Sequence, residues 1–207
     1  VTGETQQQPD LAAAVSGVGE AMAAAQQAVV KQVTLAGDLE AALDLIRDVP
    51  DFPEPGVLFR DLTPVLSDAK ALGALVYGVA AACPAADVVA GIEARGFLLA
   101  APVAYGCGVG MVPVRKAGKL PAVAAKVSYA LEYGTAELEI AVGAIQPGQR
   151  VAVIDDVLAT GGTAAAACEL VEQAGGVVAG VVVVLEIAAL NGRAELEGYQ
   201  VTALRTV

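Results

Sequence analysis

With 207 residues the chain is long enough to bury one sizeable core without metal or disulfide staples. A net charge of -11 argues against nucleic acid as a partner. The absence of histidine removes every triad, zinc site and proton shuttle that depends on imidazole. Three widely spaced cysteines, Cys83, Cys107 and Cys168, form no CxxC pair and fit a reducing compartment such as the cytoplasm.

Residues 1–37 differ in character from the rest, with Gln6-Gln7-Gln8 followed by alanine-rich sequence. The stretch from Ala12 to Val30 could form a helix, but Glu20, Lys31 and weak apolarity argue against a membrane span. It also lacks the basic start of a signal peptide. We therefore expect an extension, flexible or loosely packed, in front of a domain covering 38–207. Asp38 is a plausible N-cap, with Leu39, Ala42, Leu43 and Ile46 at helical spacing until Pro50. Asp51 to Leu66, DFPEPGVLFRDLTPVL, carries Pro53, Pro55 and Pro64, which forbid a helix interior. Ser67 to Cys83 reads as a helix with Leu72, Leu75, Val76 and Val79 on one side.

Asp87–Gly91 then reads as a short strand, Arg95–Tyr105 as a helix containing Pro102, and Val109–Val114 as the next strand. Val123 to Ile140 has a Gly134 and a polar alternating segment, suited to a mobile two-stranded flap or to a plain exposed hairpin. Val151–Ile154 is a buried strand and Ala164–Ala174 a helix stopped by Gly175-Gly176. Val177–Leu185 is another buried strand, and Tyr199–Ala203 an edge strand. Strands alternating with helices predict an α/β fold, a mostly parallel central sheet with helices on both faces.

Three loops of this pattern carry chemistry, all at the carboxyl edge of the expected sheet, where open α/β folds bind ligands. After Val151–Ile154 come two carboxylates, Asp155 and Asp156, and then Ala159-Thr160-Gly161-Gly162-Thr163 at a helix start. Free backbone N–H groups, two hydroxyls and the helix dipole suit a phosphate. The acidic pair would repel that phosphate, so it fits sugar hydroxyls or a magnesium ion instead. The same run could be an ordinary strand–turn–helix. It is neither a Walker A loop nor a dinucleotide fingerprint. Between Ala94 and Leu131 there is no Asp or Glu, while Arg95, Arg115, Lys116, Lys119 and Lys126 all fall there, which suggests an anion site. In Gly91-Ile92-Glu93-Ala94-Arg95-Gly96-Phe97, Arg95 can clamp a phosphate and Gly96 allows close approach to a ligand.

Four blocks, DFPEPGVLFRDLTPVL, GIEARGF, VRKAGKLP with SYALEYGTAELE, and VAVIDDVLATGGTAAAACEL, together resemble the adenine phosphoribosyltransferases, a type I phosphoribosyltransferase family. The resemblance covers roughly residues 38–193. It implies a fold with a small hood and a flexible two-stranded lid, and transfer of the phosphoribosyl group of phosphoribosyl pyrophosphate (PRPP) to adenine, giving AMP and pyrophosphate in purine salvage. It implies Mg²⁺ as cofactor, held at Asp155 and Asp156 through water, and a homodimer. Catalysis would fall to Glu132, as acid/base on the purine N7, and to Arg95. PRPP would be held by Asp155, Asp156, Ala159, Thr160, Gly161, Gly162, Thr163, Arg95, Arg115, Lys116, Lys119 and Tyr133. Adenine would be held by Val57, Leu58, Phe59, Arg60 and Ile187. The resemblance also places a cis peptide at Glu93–Ala94, while Ala117 departs from a position where the family often has a second basic residue. Two other readings stay open: a phosphoribosyltransferase for another nucleobase, and a non-catalytic PRPP-binding regulator.

Overall fold

The computed structural model describes residues 35–130 and 135–207. Helix α1 (Leu35–Leu43) is already under way at Asp38, which lies in its first turn and pairs with Lys70 at 2.7 Å instead of capping the helix. The helix stops at Leu43, short of the Ile46 and Pro50 that the spacing suggested. Strand β1 (Arg47–Pro50) takes over because it pairs antiparallel with β2 (Leu58–Asp61), with Arg47 opposite Asp61 and Asp48 opposite Arg60. Both cross-strand pairs are ionic, Arg47 to Asp61 and Arg60 to Asp48. The proline block thus yields a small two-stranded sheet, the expected hood. A short helix α2 (Thr63–Ser67) follows, with Pro64 in its first turn, where a missing N–H costs nothing.

Helix α3 (Ala69–Ala82) is capped by Asp68, whose side chain accepts from the Ala71 N–H at 2.8 Å. The main sheet then alternates strands and helices: β3 (Val88–Ile92), α4 (Arg95–Cys107), β4 (Gly110–Lys116), β5 (Val123–Ala130), β6 (Thr135–Ala141), β7 (Arg150–Leu158), α5 (Gly162–Gln173), β8 (Val177–Glu186) and β9 (Val201–Thr206). Its seven strands run in the order β5-β6-β4-β3-β7-β8-β9. The pairs β4–β3, β3–β7, β7–β8 and β8–β9 are parallel, and β6 joins β4 and β5 antiparallel.

Strand alternation splits the core in two. Val88, Ala90, Ile92, Val151, Val153, Val181 and Val183 pack with Ala167, Cys168, Leu170 and Val171 of α5. Val89, Ile154, Val182 and Val184 face the other way, onto Leu75, Val79, Leu99 and Val103 of α3 and α4. Both faces are covered, which is why the central strands read as unbroken apolar runs.

The β5–β6 hairpin is less free than a flap over 123–140 would be. Ala125, Val127, Leu138 and Ile140 lie on its inner face and are buried in the same core as α5. Its base is therefore a structural part of the sheet. Among the described residues, no helix is long and apolar enough to cross a membrane.

Candidate active site

Strands β4, β3, β7 and β8 are adjacent and parallel, so their carboxyl ends and following loops come to one edge. From β3 the chain crosses to β4 on one side, and from β7 to β8 on the other. The crevice between β3 and β7 is a topological switch point, the ligand-binding position in open sheets.

Two adjoining cavities occupy this edge. The first, about 320 Å³, is lined by Glu93, Ala94, Arg95, Lys116, Tyr129, Asp155, Asp156, Val157, Leu158, Ala159, Thr160, Gly161, Thr163 and Ala164. The second, about 440 Å³ and more apolar, is lined by Gly56, Val57, Leu58, Phe59, Arg60, Arg95, Val157, Ala159, Ile187, Ala189 and Leu190. Arg95, Val157 and Ala159 belong to both. All five residues expected at the base pocket are together in the second cavity. Val57 and Leu58 are 37% and 42% exposed, so they are not core residues.

In the first cavity the acidic pair is not on a loop. Strand β7 continues through Asp155, Asp156 and Val157 to Leu158, because β8 keeps pairing with it, Asp155 opposite Val183 and Val157 opposite Leu185. Asp156 is consequently buried, and the Asp156 N–H donates to Asp155 Oδ1 at 2.9 Å. Burial pushes the pKa of Asp155 well above its ordinary value, and the adjacent Asp156 carboxylate adds to that. Asp156 is also raised, by burial, although Arg95 opposes the shift. Arg95 Nε stands 2.7 Å from Asp156 Oδ2, yet that oxygen makes no hydrogen bond. The Arg95 guanidinium also lies over the Phe59 ring, 5.2 Å from its centre, and Phe52 meets Phe59 edge-on.

The phosphate-type loop follows β7. Gly161 has φ +90°, a conformation that residues with a side chain rarely adopt, and α5 begins at Gly162. The first N–H groups of that helix have no acceptor within it. Thr160, Gly161 and Thr163 line the cavity; Gly162 does not.

The cations separate in space as they did not in sequence. Lys116 lines the first cavity, on the end of β4 and not in a loop. Arg115 Nε donates to Glu93 Oε2 at 3.0 Å and its guanidinium lies over Phe97, so it does not line the cavity. Lys119 is exposed nearby, also outside the lining. Lys126 is on the hairpin, 2.7 Å from Glu137. A methyl on Gly96 would come within 2.7 Å of the Ile154 carbonyl oxygen, so the glycine lets α4 press on β7. The Glu93–Ala94 peptide is cis, as the resemblance implied.

Glu132 and Tyr133, with Leu131 and Gly134, lie outside the described residues, as do residues 1–34. The reading from sequence missed Tyr129, which reaches the first cavity from β5, and Ala189 and Leu190, which line the second. Tyr129 shares a strand face with buried Val127 and sits inside the SYALEYGT block, a signal that was available.

The phosphoribosyl transferase domain model matches residues 66–202. An adenine phosphoribosyltransferase of Clavibacter michiganensis is 58% identical over 170 residues, covering 80% of this chain and 97% of that protein. The crystal structure of adenine phosphoribosyltransferase from Thermoanaerobacter pseudethanolicus superposes with a TM-score of 0.79 at 48% identity, covering 82% of this chain and 99% of the other. The Saccharomyces cerevisiae enzyme, solved with an imino-altritol bisphosphate and adenine, gives 0.78 at 37% identity, over 83% of this chain and all of that one (100%).

Proposed function

The chain belongs to the adenine phosphoribosyltransferase family, and from that premise we propose how its two cavities carry out the transfer of a phosphoribosyl group from PRPP to adenine. The observation that carries the reading is their contiguity: an anion-type cleft and an apolar slot meet at Arg95, Val157 and Ala159. A ribose at that junction has its phosphates on one side and an incoming base on the other.

Ala159 to Thr163 cradle the 5′-phosphate with N–H groups and hydroxyls. Asp155 and Asp156 take the ribose hydroxyls. Lys116 and Arg95, which line the cleft, meet the negative charge that grows on the departing pyrophosphate, and Arg115 and Lys119 add to it from outside the lining, a stabilisation placed in advance. Arg95 first has to leave Asp156 and Phe59. Glu132 is the acid/base group at the purine N7 and Tyr133 a further PRPP contact, as the family resemblance implies. A lid over the cleft would exclude water from the positively charged ribose centre.

The donor set fits Mg²⁺. Asp156 presents a buried carboxylate oxygen without a hydrogen bond, and two hard oxygen ligands suit an ion that keeps its waters and arrives with a polyphosphate. When bound, the ion would neutralise part of the pyrophosphate charge. A homodimer in the cytoplasm completes the proposal. Three unpaired cysteines support that compartment, and sedimentation would test the dimer. Residues 1–34 precede α1, and their removal should leave activity unchanged, as assay of the shortened chain would show.

Adenine pairs a donor at N6 with an acceptor at N1, and hypoxanthine reverses them. Among the described residues strand β2 pairs with β1 alone, so alternate residues of Leu58–Arg60 present N–H and C=O on its other edge. The Arg60 side chain is engaged by Asp48, leaving its backbone as the reader. Phe59 stacks on one face of the base and Ile187 on the other. Leaving such backbone groups unpaired allows discrimination of about 10⁴-fold. Comparing kcat/KM for adenine, hypoxanthine and guanine tests this; similar values for adenine and hypoxanthine would refute it.

A further inference from the structure

The phosphate loop does not stand alone on its strand. After β8 the chain passes through Ile187 into two short 3-10 turns, Ala188–Leu190 and Gly192–Leu196, and this return segment lies against the loop. A methyl on Gly192 would overlap the Ala159 carbonyl oxygen and come within 3.0 Å of the Gly161 nitrogen. A methyl on Gly161 would overlap the Gly192 carbonyl oxygen in return. Two stretches of backbone are thus packed face to face with no side chain between them. Gly161 must be glycine for its φ of +90° as well as for space. Gly192 is not among the glycines of positive φ, so space alone demands it.

The return segment is itself pinned. Arg193 donates through Nε to Glu186 Oε1 at 2.7 Å and through Nη2 to Oε2 at 2.8 Å, a two-pronged pair. Its Nη1 donates to the Val201 carbonyl at 2.9 Å. Glu186 is the last residue of β8, so the turn is tied to the rigid sheet. The first part of the same segment supplies Ile187, Ala189 and Leu190 to the apolar cavity.

We propose that Gly192, anchored by the Arg193–Glu186 pair, is a positioning residue that sets the phosphate loop. The proposal rests on reading Ala159–Thr163 as the cradle of the 5′-phosphate. Several N–H groups must converge on one phosphate, so a shift of the Ala159–Gly161 backbone by ~1 Å costs on the order of 10²-fold in affinity. Rotating a side chain cannot relieve the shift, because the contact is backbone against backbone.

The test is calorimetric titration of the full chain with ribose 5-phosphate, which reports on the loop, and with Mg²⁺–pyrophosphate, which reports on the other end of the cleft. Gly192→Ala should weaken ribose 5-phosphate by on the order of 10²-fold while pyrophosphate binding stays within about twofold. Arg193→Gln, which loosens the anchor without adding bulk, should weaken the same ligand by roughly tenfold, and Arg193→Lys less. If Gly192→Ala fails to fold, the Arg193 pair decides by the same selectivity. Unchanged ribose 5-phosphate affinity in the folded variants would overturn the proposal. So would equal loss of both ligands through a lower binding stoichiometry, the mark of a merely structural role. Thr163→Ala is the separate control. If it too leaves ribose 5-phosphate binding intact, the phosphate reading fails and the premise with it.

Discussion

At two neighbouring strand ends, acidic groups stand in opposite conditions. Glu93, just past β3, accepts from the Lys116 N–H at 2.8 Å and from Arg115 Nε at 3.0 Å. Burial alone would raise its pKa, but those donors outweigh burial and hold it below the ordinary value. Asp155 and Asp156, on β7, are both raised, chiefly by burial, and one buried oxygen has no hydrogen bond. Glu93 is a finished brace that fixes the end of β4. The β7 pair has Arg95 beside Asp156 and one N–H on Asp155 but acceptors to spare, which a ligand that brings hydroxyls or a cation would fill. A functional carboxylate is recognised here by what it lacks.

The largest effect expected from this contrast is on turnover. Asp155→Asn and Asp156→Asn should each lower kcat/KM for PRPP by on the order of 10²-fold, measured across a magnesium titration. Glu93→Gln should cost less than about tenfold, because a glutamine still accepts from the Lys116 N–H. Equal losses at the two strand ends would erase the distinction.

Gly96 is what brings the two ends together. Its missing side chain lets the start of α4 rest on the Ile154 carbonyl and beside Asp155. Gly96→Ala should force them apart and lower stability by about 1–3 kcal/mol, seen in denaturant unfolding. A variant as stable as the parent would mean that the helix start can move freely, and that Arg95 is not held at the switch point by packing.

How legible was this from sequence? The loop Ala159–Thr163 was readable because its chemistry is local: a glycine at positive φ, two hydroxyls and a helix start. The strand ends were not, since β7 runs on through the acidic pair only because β8 pairs with it there. The cationic stretch misled in part. Lys126 finds Glu137 across the hairpin and Arg115 finds Glu93 just past the neighbouring strand β3, so a run without acids in sequence has acids around it in space. The end of α1 was missed for the same reason, since Arg47 is drawn into a strand by Asp61, fourteen residues on. Gly192 carried no local signal at all; its demand for space comes from Ala159 and Gly161.

A smaller effect separates the two carboxylate groups by sign. Raised pKa values mean that the fold prefers the β7 pair protonated, so stability falls as pH rises through the pair's folded pKa values. Replacing a penalised charge by a neutral amide should therefore stabilise. Asp155→Asn should melt higher than the parent at pH 7–8, by about 1 kcal/mol in stability, while being the poorer catalyst. An Asn variant that melts lower at neutral pH would show that the carboxylate is already satisfied in the free protein.

Glu93→Gln should do the reverse, and by less. Its folded pKa is lowered, so the stability it contributes is fully present above its ordinary value of 4.5 and is lost as pH falls through the folded value. Arg115 is 30% exposed at the side chain and Glu93 16%, so solvent screens the pair. The loss on substitution should be about 0.2–1 kcal/mol, since the glutamine side-chain oxygen still accepts from the Lys116 N–H. Melting curves from pH 7 down to pH 3 would show parent and variant converging as the acid limb is entered, because protonation removes from the parent what the substitution removed already. Parallel curves with a constant offset would assign the loss to packing instead, and the brace at β3 would then owe nothing to its charge.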